Sequence, residues 1–283
     1  MNLRDTLFST VLPTVNKASR YLGTEFNSVH KVAQSVDLRI ALAFPDLYDL
    51  ALGNLGLHIL YAILNKFPWC WAERTYAPAP DLETILRARD LPLFAWESKD
   101  PLAAMDVIGF TFQSELTYTN VLNMLNLAGI PLRSDDRDEN HPLIIAGGPT
   151  TANPEPMAPF IDAFVIGDGE EAIVAIAEVL RDARGEDRQA RLAILSGLDG
   201  VYVPSIYPTE TLPDGRVRPR ADRPPVVRQV VRDLDAAPFP RDYIVPFTQQ
   251  VHDRVAVEVH RGCTRGCRFC QAGVITRPVR ERT

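Results

Sequence analysis

Three of the four cysteines in this chain fall within eight residues, in the stretch His260-Arg261-Gly262-Cys263-Thr-Arg-Gly-Cys267-Arg-Phe269-Cys270. The β-branched run Val255-Ala-Val-Glu-Val259 before them reads as a strand, and Gly262 and Gly266 make the cysteine stretch itself a loop. Thiolates suit soft metal sites, and three spaced Cys-x3-Cys-x2-Cys can each hold one iron of a 4Fe-4S cubane. With no fourth cysteine nearby, one iron is left open to bind a small molecule through an amine and a carboxylate. Structural zinc is the alternative: it takes four ligands, and His260 is available as the fourth. A disulfide fits poorly, because an odd cluster of three thiols in a chain without a secretory signal reads as reduced.

The elements that must position this loop come from a chain of 283 residues with 46% hydrophobic and 23% charged side chains, enough for two domains with their own cores. A net charge of -6 argues against the whole chain coating nucleic acid. Residues 1–17 carry Arg4 and Asp5 among short apolar pieces and lack a signal-peptide core. Nothing approaches the uninterrupted apolar length that spans a bilayer. These features and the free thiols predict a cytoplasmic protein with no membrane partner.

Apolar periodicity predicts strands over 38–44 (stopped by Pro45-Asp46), 107–112, 143–146 and 163–166, with a short apolar edge over 93–96. Helices are predicted over 54–66, 82–89, 118–128 and 172–180. Near-continuous apolar strands separated by helices predict an α/β fold, a Rossmann-like doubly wound parallel sheet of about five strands. In such a sheet the ligand crevice lies beyond the carboxyl ends of the strands, at the loops 45–56, 113–120, 147–151 and 167–171. Gly147, Gly148, Gly167 and Gly169 would let backbone approach a large flat or phosphate-bearing ligand there, although each also serves simply to turn a strand into a helix. No Gly-x-Gly-x-x-Gly follows the first strand, so a dinucleotide site has no support. Glu170 and Glu171 read as partners of a helix dipole rather than phosphate ligands.

Past residue 180 the alternation fades. Val201-Tyr-Val203 and Val217 flank Pro213-Asp214-Gly215, a predicted hairpin, and the frequent prolines of 204–246 read as a structured linker folded over the first domain. The predicted division is a helical segment at 1–36, the Rossmann-like domain at 37–200, the linker at 201–250 and the cysteine-bearing unit at 251–283. Asp199, Asp233 and Asp235 read as turn or solvated residues, Cys70 as a buried core thiol and His58 as structural. Arginines at 254, 261, 265, 268, 277, 280 and 282 make the last thirty residues basic. They can offset thiolate charge around a cluster or hold phosphates of an RNA.

The cysteine stretch, with the aromatic Phe269 just before the third thiol, resembles the signature of the radical S-adenosylmethionine (SAM) enzymes. A Rossmann-like domain ahead of it is similar to the cobalamin-binding class of that family. Arg20-Tyr-Leu-Gly-Thr-Glu25, Phe44-Pro-Asp46, Ala72-Glu-Arg74, Gly147-Gly-Pro149, Asn153-Pro-Glu155, Gly167-Asp-Gly-Glu170 and the stretch 261–282 resemble one uncharacterised bacterial subfamily of it. The resemblance implies a 4Fe-4S cluster on Cys263, Cys267 and Cys270, SAM at the open iron with adenine beside Phe269, and a corrinoid in the amino-terminal crevice. It also implies a reductant such as flavodoxin or ferredoxin and an organic substrate. The Asp-x-His-x-x-Gly signature of methionine-synthase-type cobalamin domains is absent. A radical SAM barrel needs several βα units beyond Thr283, so the expectation is the N-terminal portion of a longer enzyme, inactive by itself. The competing readings are a non-catalytic α/β ligand- or partner-binding protein with structural zinc, and an RNA-modifying radical SAM enzyme reached through the basic tail.

Overall fold

The computed structural model describes residues 2–207, 209–220 and 225–283. Part of the proline-rich stretch, Pro208 and 221–224, therefore lies outside the described residues. A short helix α1 (Leu3–Thr6) opens the chain, capped by Asn2, whose Oδ1 accepts from Asp5 N at 2.8 Å. The arm beyond it, including Tyr21 and Glu25, lies against the sheet edge.

Strand β1 (Leu38–Leu47) has buried residues on both faces, as small and branched side chains permit when helices cover both sides. Pro45 does not stop it, contrary to the sequence expectation. The register against β2 (Cys70–Ala77) jumps between Phe44 and Leu47, so the proline falls in a bulge where no ladder N–H is required. Helices α2 (Tyr48–Ala51) and α3 (Leu55–Asn65) connect the two strands, and Asn54 Oδ1 caps α3 by accepting from Leu57 N at 2.9 Å. Next come α4 (Pro80–Ala88), β3 (Val107–Thr111), α5 (Tyr118–Leu127), β4 (Leu143–Gly147), β5 (Ala163–Val165), α6 (Glu170–Asp182), α7 (Arg188–Leu195) and β6 (Val201–Tyr202).

The sheet order is β2-β1-β3-β4-β5-β6, parallel through β5, with β6 antiparallel at the edge. This is a mainly parallel, Rossmann-like doubly wound sheet, and its order reverses between β1 and β3. Residues 93–96 form only an isolated bridge, Phe94 to Pro101, rather than a strand. Val201 joins the main sheet as part of β6, so the hairpin around Pro213-Asp214-Gly215 is instead β7 (Thr209–Thr211) against β8 (Val217–Pro219).

The last unit departs furthest from expectation. Residues 255–259 form no strand, and Val255, Val257 and Val259 are all exposed. The unit has only a two-residue ladder, β9 (His260–Arg261) with β10 (Arg280–Glu281), and between them lies the short helix α8 (Ala272–Ile275). Alternating valines specify a strand only where another strand pairs with their backbone along its length, and here only Val259 O, accepting from Arg282 N at 3.0 Å, extends the β9-β10 ladder.

Candidate cofactor site

At a topological switch point the loops on either side of β1 and β3 part to opposite faces of the sheet, leaving a crevice at the carboxyl ends. The chain has a cavity of about 700 Å³ there. Its floor is the row Leu42, Gly109 and Ile145, which are register neighbours across β1, β3 and β4. The first turns of α3, with Ile59 and Leu60, form one wall. The ends of β4 and β5 and the start of α6 form another.

The four glycines named from the sequence all line this cavity, for two different reasons. Gly148 (φ 111°) and Gly167 (φ 106°) have left-handed backbone, and an added Cβ would lie 2.6 Å from Phe112 O and 2.2 Å from Gln229 O respectively. They are glycines because the chain packs against itself. A Cβ on Gly147 would meet nothing nearer than Val165 Cβ at 3.9 Å, and one on Gly109 nothing nearer than Leu42 Cδ2 at 3.8 Å. Those two keep space open. Gly169 lies between, with Leu60 Cδ2 at 3.4 Å.

Both flanks of the three-cysteine loop also reach the cavity. Arg261 lines it ahead of Cys263, and Val274, Ile275 and Thr276 line it after Cys270. Arg261 is fixed by three carboxylates: Nη2 to Glu170 Oε1 at 2.6 Å and to Glu258 Oε1 at 2.9 Å, and Nη1 to Asp168 Oδ1 at 3.2 Å. Arg280 pairs with the other oxygen of Asp168, and Arg282 Nη2 lies 2.9 Å from Glu258 Oε2. Asp168 further accepts from Val231 N at 2.8 Å. Glu170 thus does more than complement a helix dipole: it anchors the cysteine segment to the sheet. Three of the seven terminal arginines are spent on these internal pairs, leaving Arg254, Arg265, Arg268 and Arg277 exposed.

Cys263 is half-buried and Cys267 and Cys270 are exposed, with Cys270 N donating to Cys267 O at 3.1 Å. Phe269 is 93% exposed. Among the described residues no three His, Cys, Asp or Glu side chains converge as a metal site, and His260 belongs to β9. Three accessible thiols within one irregular loop nevertheless match the donor set of a cluster with one open iron. Cys70, by contrast, is fully buried, and burial pushes its thiol up to about 12 against the opposing influence of Lys31. His58 is structural: burial pulls it down to about 4, and its Nε2 lies 2.6 Å from Leu52 O.

Sequence reasoning missed β2, α7 and the arginine network. The network has a signal in sequence, since Asp168 and Glu170 follow β5 while Arg261 precedes the first thiol. Nothing in that spacing says that they meet.

The family described as "Radical SAM proteins, N-terminal" matches residues 56–204, just over half the chain. The chain belongs to that family. This radical SAM family member is 24% identical over 246 residues to the uncharacterized protein MJ0966 of Methanocaldococcus jannaschii, covering 86% of this chain and 43% of that one. Its fold is shared with the cobalamin-dependent S-adenosylmethionine radical enzyme OxsB, solved with aqua-cobalamin and S-adenosylmethionine bound. That match has a TM-score of 0.51 at 14% identity, over 86% of this chain and 30% of OxsB. The chain therefore spans less than half the length of either protein. No described helix of this family member is long and apolar enough to cross a membrane.

Proposed function

We propose that the chain is the cofactor-binding portion of a cytoplasmic radical SAM enzyme that holds a corrinoid in the sheet cavity. The observation that supports this is the meeting of two features in one place: both flanks of the three-thiol loop line the cavity at the switch point of the sheet. Cys263, Cys267 and Cys270 would hold a 4Fe-4S cluster, which when bound supplies the single electron for reductive cleavage of SAM. A corrinoid suits the cavity because its floor and walls are largely apolar, and Gly109 and Gly147 keep it clear of side chains.

The residues of the chain itself do three things in this scheme. The apolar walls exclude water from the bound group. The Asp168, Glu170 and Glu258 carboxylates fix Arg261, and with it the start of the cysteine loop, at the cavity mouth. The loop between Gly262 and Gly273 stays free of regular structure through Cys270, so the thiols can converge on a metal. OxsB, which shares the fold, is a cobalamin-dependent enzyme, and the cobalamin reading here rests on that likeness together with the cavity.

The test is the iron, sulfide and corrinoid content of the full-length protein, purified without oxygen from cells supplied with cobalamin. Near-stoichiometric corrinoid with about four irons supports the reading. Iron without corrinoid keeps the cluster and removes the corrinoid. One zinc per chain, colourless and without sulfide, replaces both with the structural-zinc alternative.

A further inference from the structure

Two arginines line the cavity, and their surroundings differ. Arg261 is saturated by Asp168, Glu170 and Glu258. Arg228 is half-buried, donates through Nη1 to Ile275 O at the cavity wall, and forms no ion pair among the described residues. Its position is set by the residue that follows it. Gln229, next in sequence, is tied to the β5 end, with its N donating to Ile166 O at 2.8 Å and its O accepting from Asp168 N at 3.0 Å. A guanidinium offers five donors and keeps its charge at any working pH, so one contact to a carbonyl leaves most of its capacity unused. Half-buried at the cavity wall, where screening is weaker than in open water, and away from the carboxylates taken up by Arg261, that unused charge favours an anionic group of whatever fills the cavity.

We infer that Arg228 recognises an anionic group of the cavity ligand, specifically the phosphodiester of a corrinoid's nucleotide tail. The assignment rests on the corrinoid reading above. Arg228 is on this view a specificity residue, selecting complete cobalamin over corrinoids that lack the phosphate, and it takes no part in bond making.

The test compares aquocobalamin with cobinamide, which lacks the nucleotide and its phosphate, in anaerobic equilibrium binding to the full-length protein. Wild type, Arg228→Gln and Arg228→Lys are titrated, with thermal unfolding as a fold control. A lost charge-assisted contact predicts that Arg228→Gln binds cobalamin about tenfold more weakly, that Arg228→Lys restores most of this, and that cobinamide binds all three alike. Equal weakening toward both corrinoids would show that Arg228 only holds Ile275, and no weakening toward either would remove the role altogether. With SAM titrated in parallel, a loss confined to that ligand would reassign Arg228 to the SAM carboxylate and overturn the proposal. Wild-type protein that binds neither corrinoid sinks the corrinoid reading and this inference together, whereas wild type that binds both while Arg228→Gln changes nothing sinks this inference alone.

Discussion

Arg261 Nη2 lies 2.6 Å from Glu170 Oε1, across 91 residues of sequence, and joins the first turn of α6 to the strand that opens the cysteine loop. Glu170 is buried and Arg261 largely so, which makes this pair, together with Arg280 on Asp168, a tie between the sheet and the last unit. Removing one partner strands a charge, so Arg261→Ala is expected to cost about 2–4 kcal/mol of local stability. Hydrogen exchange should then show faster exchange over 258–283 with β1 through β5 unchanged. Uniform acceleration across the sheet, or none anywhere, would mean that the tie is not local.

A second buried network holds the amino-terminal arm. Arg74 is 1% exposed, and its Nη2 lies 2.7 Å from Glu25 Oε2 while its Nε lies 2.6 Å from Glu97 Oε1. Truncation to alanine leaves two buried carboxylates without their cation, at a cost of about 3–5 kcal/mol. Urea unfolding of Arg74→Ala should show that loss, with a much smaller loss if Glu25 and Glu97 are also changed to Gln. An additive triple variant would refute the coupling.

Lys99 sits beside this network, and burial pulls its ammonium down to about 7, with Glu97 and Glu25 opposing the shift. The unfolded chain keeps that proton to about pH 10.5, so between the two values the unfolded state binds more protons and stability rises with pH. Below about 7 both states are protonated and the penalty is constant and full. Lys99→Met is therefore expected to be more stable than wild type at neutral pH, with the difference shrinking toward pH 10. A difference that stays flat across that range would show that Lys99 titrates normally.

The same contrast of burial separates the thiols. Cys70 is buried and its thiol is pushed up to about 12, whereas Cys267 and Cys270 are exposed and Cys263 is half-buried. In metal-free protein at pH 8, a colorimetric thiol reagent should titrate three cysteines quickly and the fourth only on unfolding. Iron and sulfide reconstitution should protect the fast set as a group. Fast modification of Cys70, or protection of fewer than three thiols, would contradict the assignment.

Much of this is legible in sequence, and the misses share a cause. Strands β1, β3, β4 and β5 announce themselves because parallel strands covered on both faces need apolar residues at every position. β2 does not, because Glu73, Arg74 and Thr75 occupy its centre, fully buried or nearly so. Their burial is tolerated because Arg39 reaches Glu73 at 2.5 Å and Glu25 and Glu97 reach Arg74, contacts that no local pattern encodes. α7 is hidden in the same way: Arg188 lies in a charged and polar stretch of the sequence, but it is buried and its Nη2 lies 2.6 Å from Asp162 Oδ2. The opposite error occurs at 255–259, where alternating valines satisfy the local rule for a strand without a partner strand to complete it. For the site, cysteine spacing singles out the three thiols proposed as metal ligands, while the cavity depends on which strand ends converge and is visible only in the fold.

The cavity itself can be tested without disturbing the fold, because its glycines differ. Gly109 lies in β3 with ordinary backbone and open space beyond its Cα, so Gly109→Leu is expected to fill the cavity while unfolding within about 1 kcal/mol of wild type. Gly148→Ala is the counterpart: its left-handed backbone and a Cβ placed 2.6 Å from Phe112 O predict a loss of about 2–3 kcal/mol. Calorimetry on both variants separates space from strain, and corrinoid titration then reads the function. Stable Gly109→Leu that still takes up corrinoid at wild-type affinity would move the ligand out of this cavity. Lost uptake in a protein as stable as wild type would establish the space above Gly109 as the binding site, since a filled volume is then all that distinguishes the two proteins.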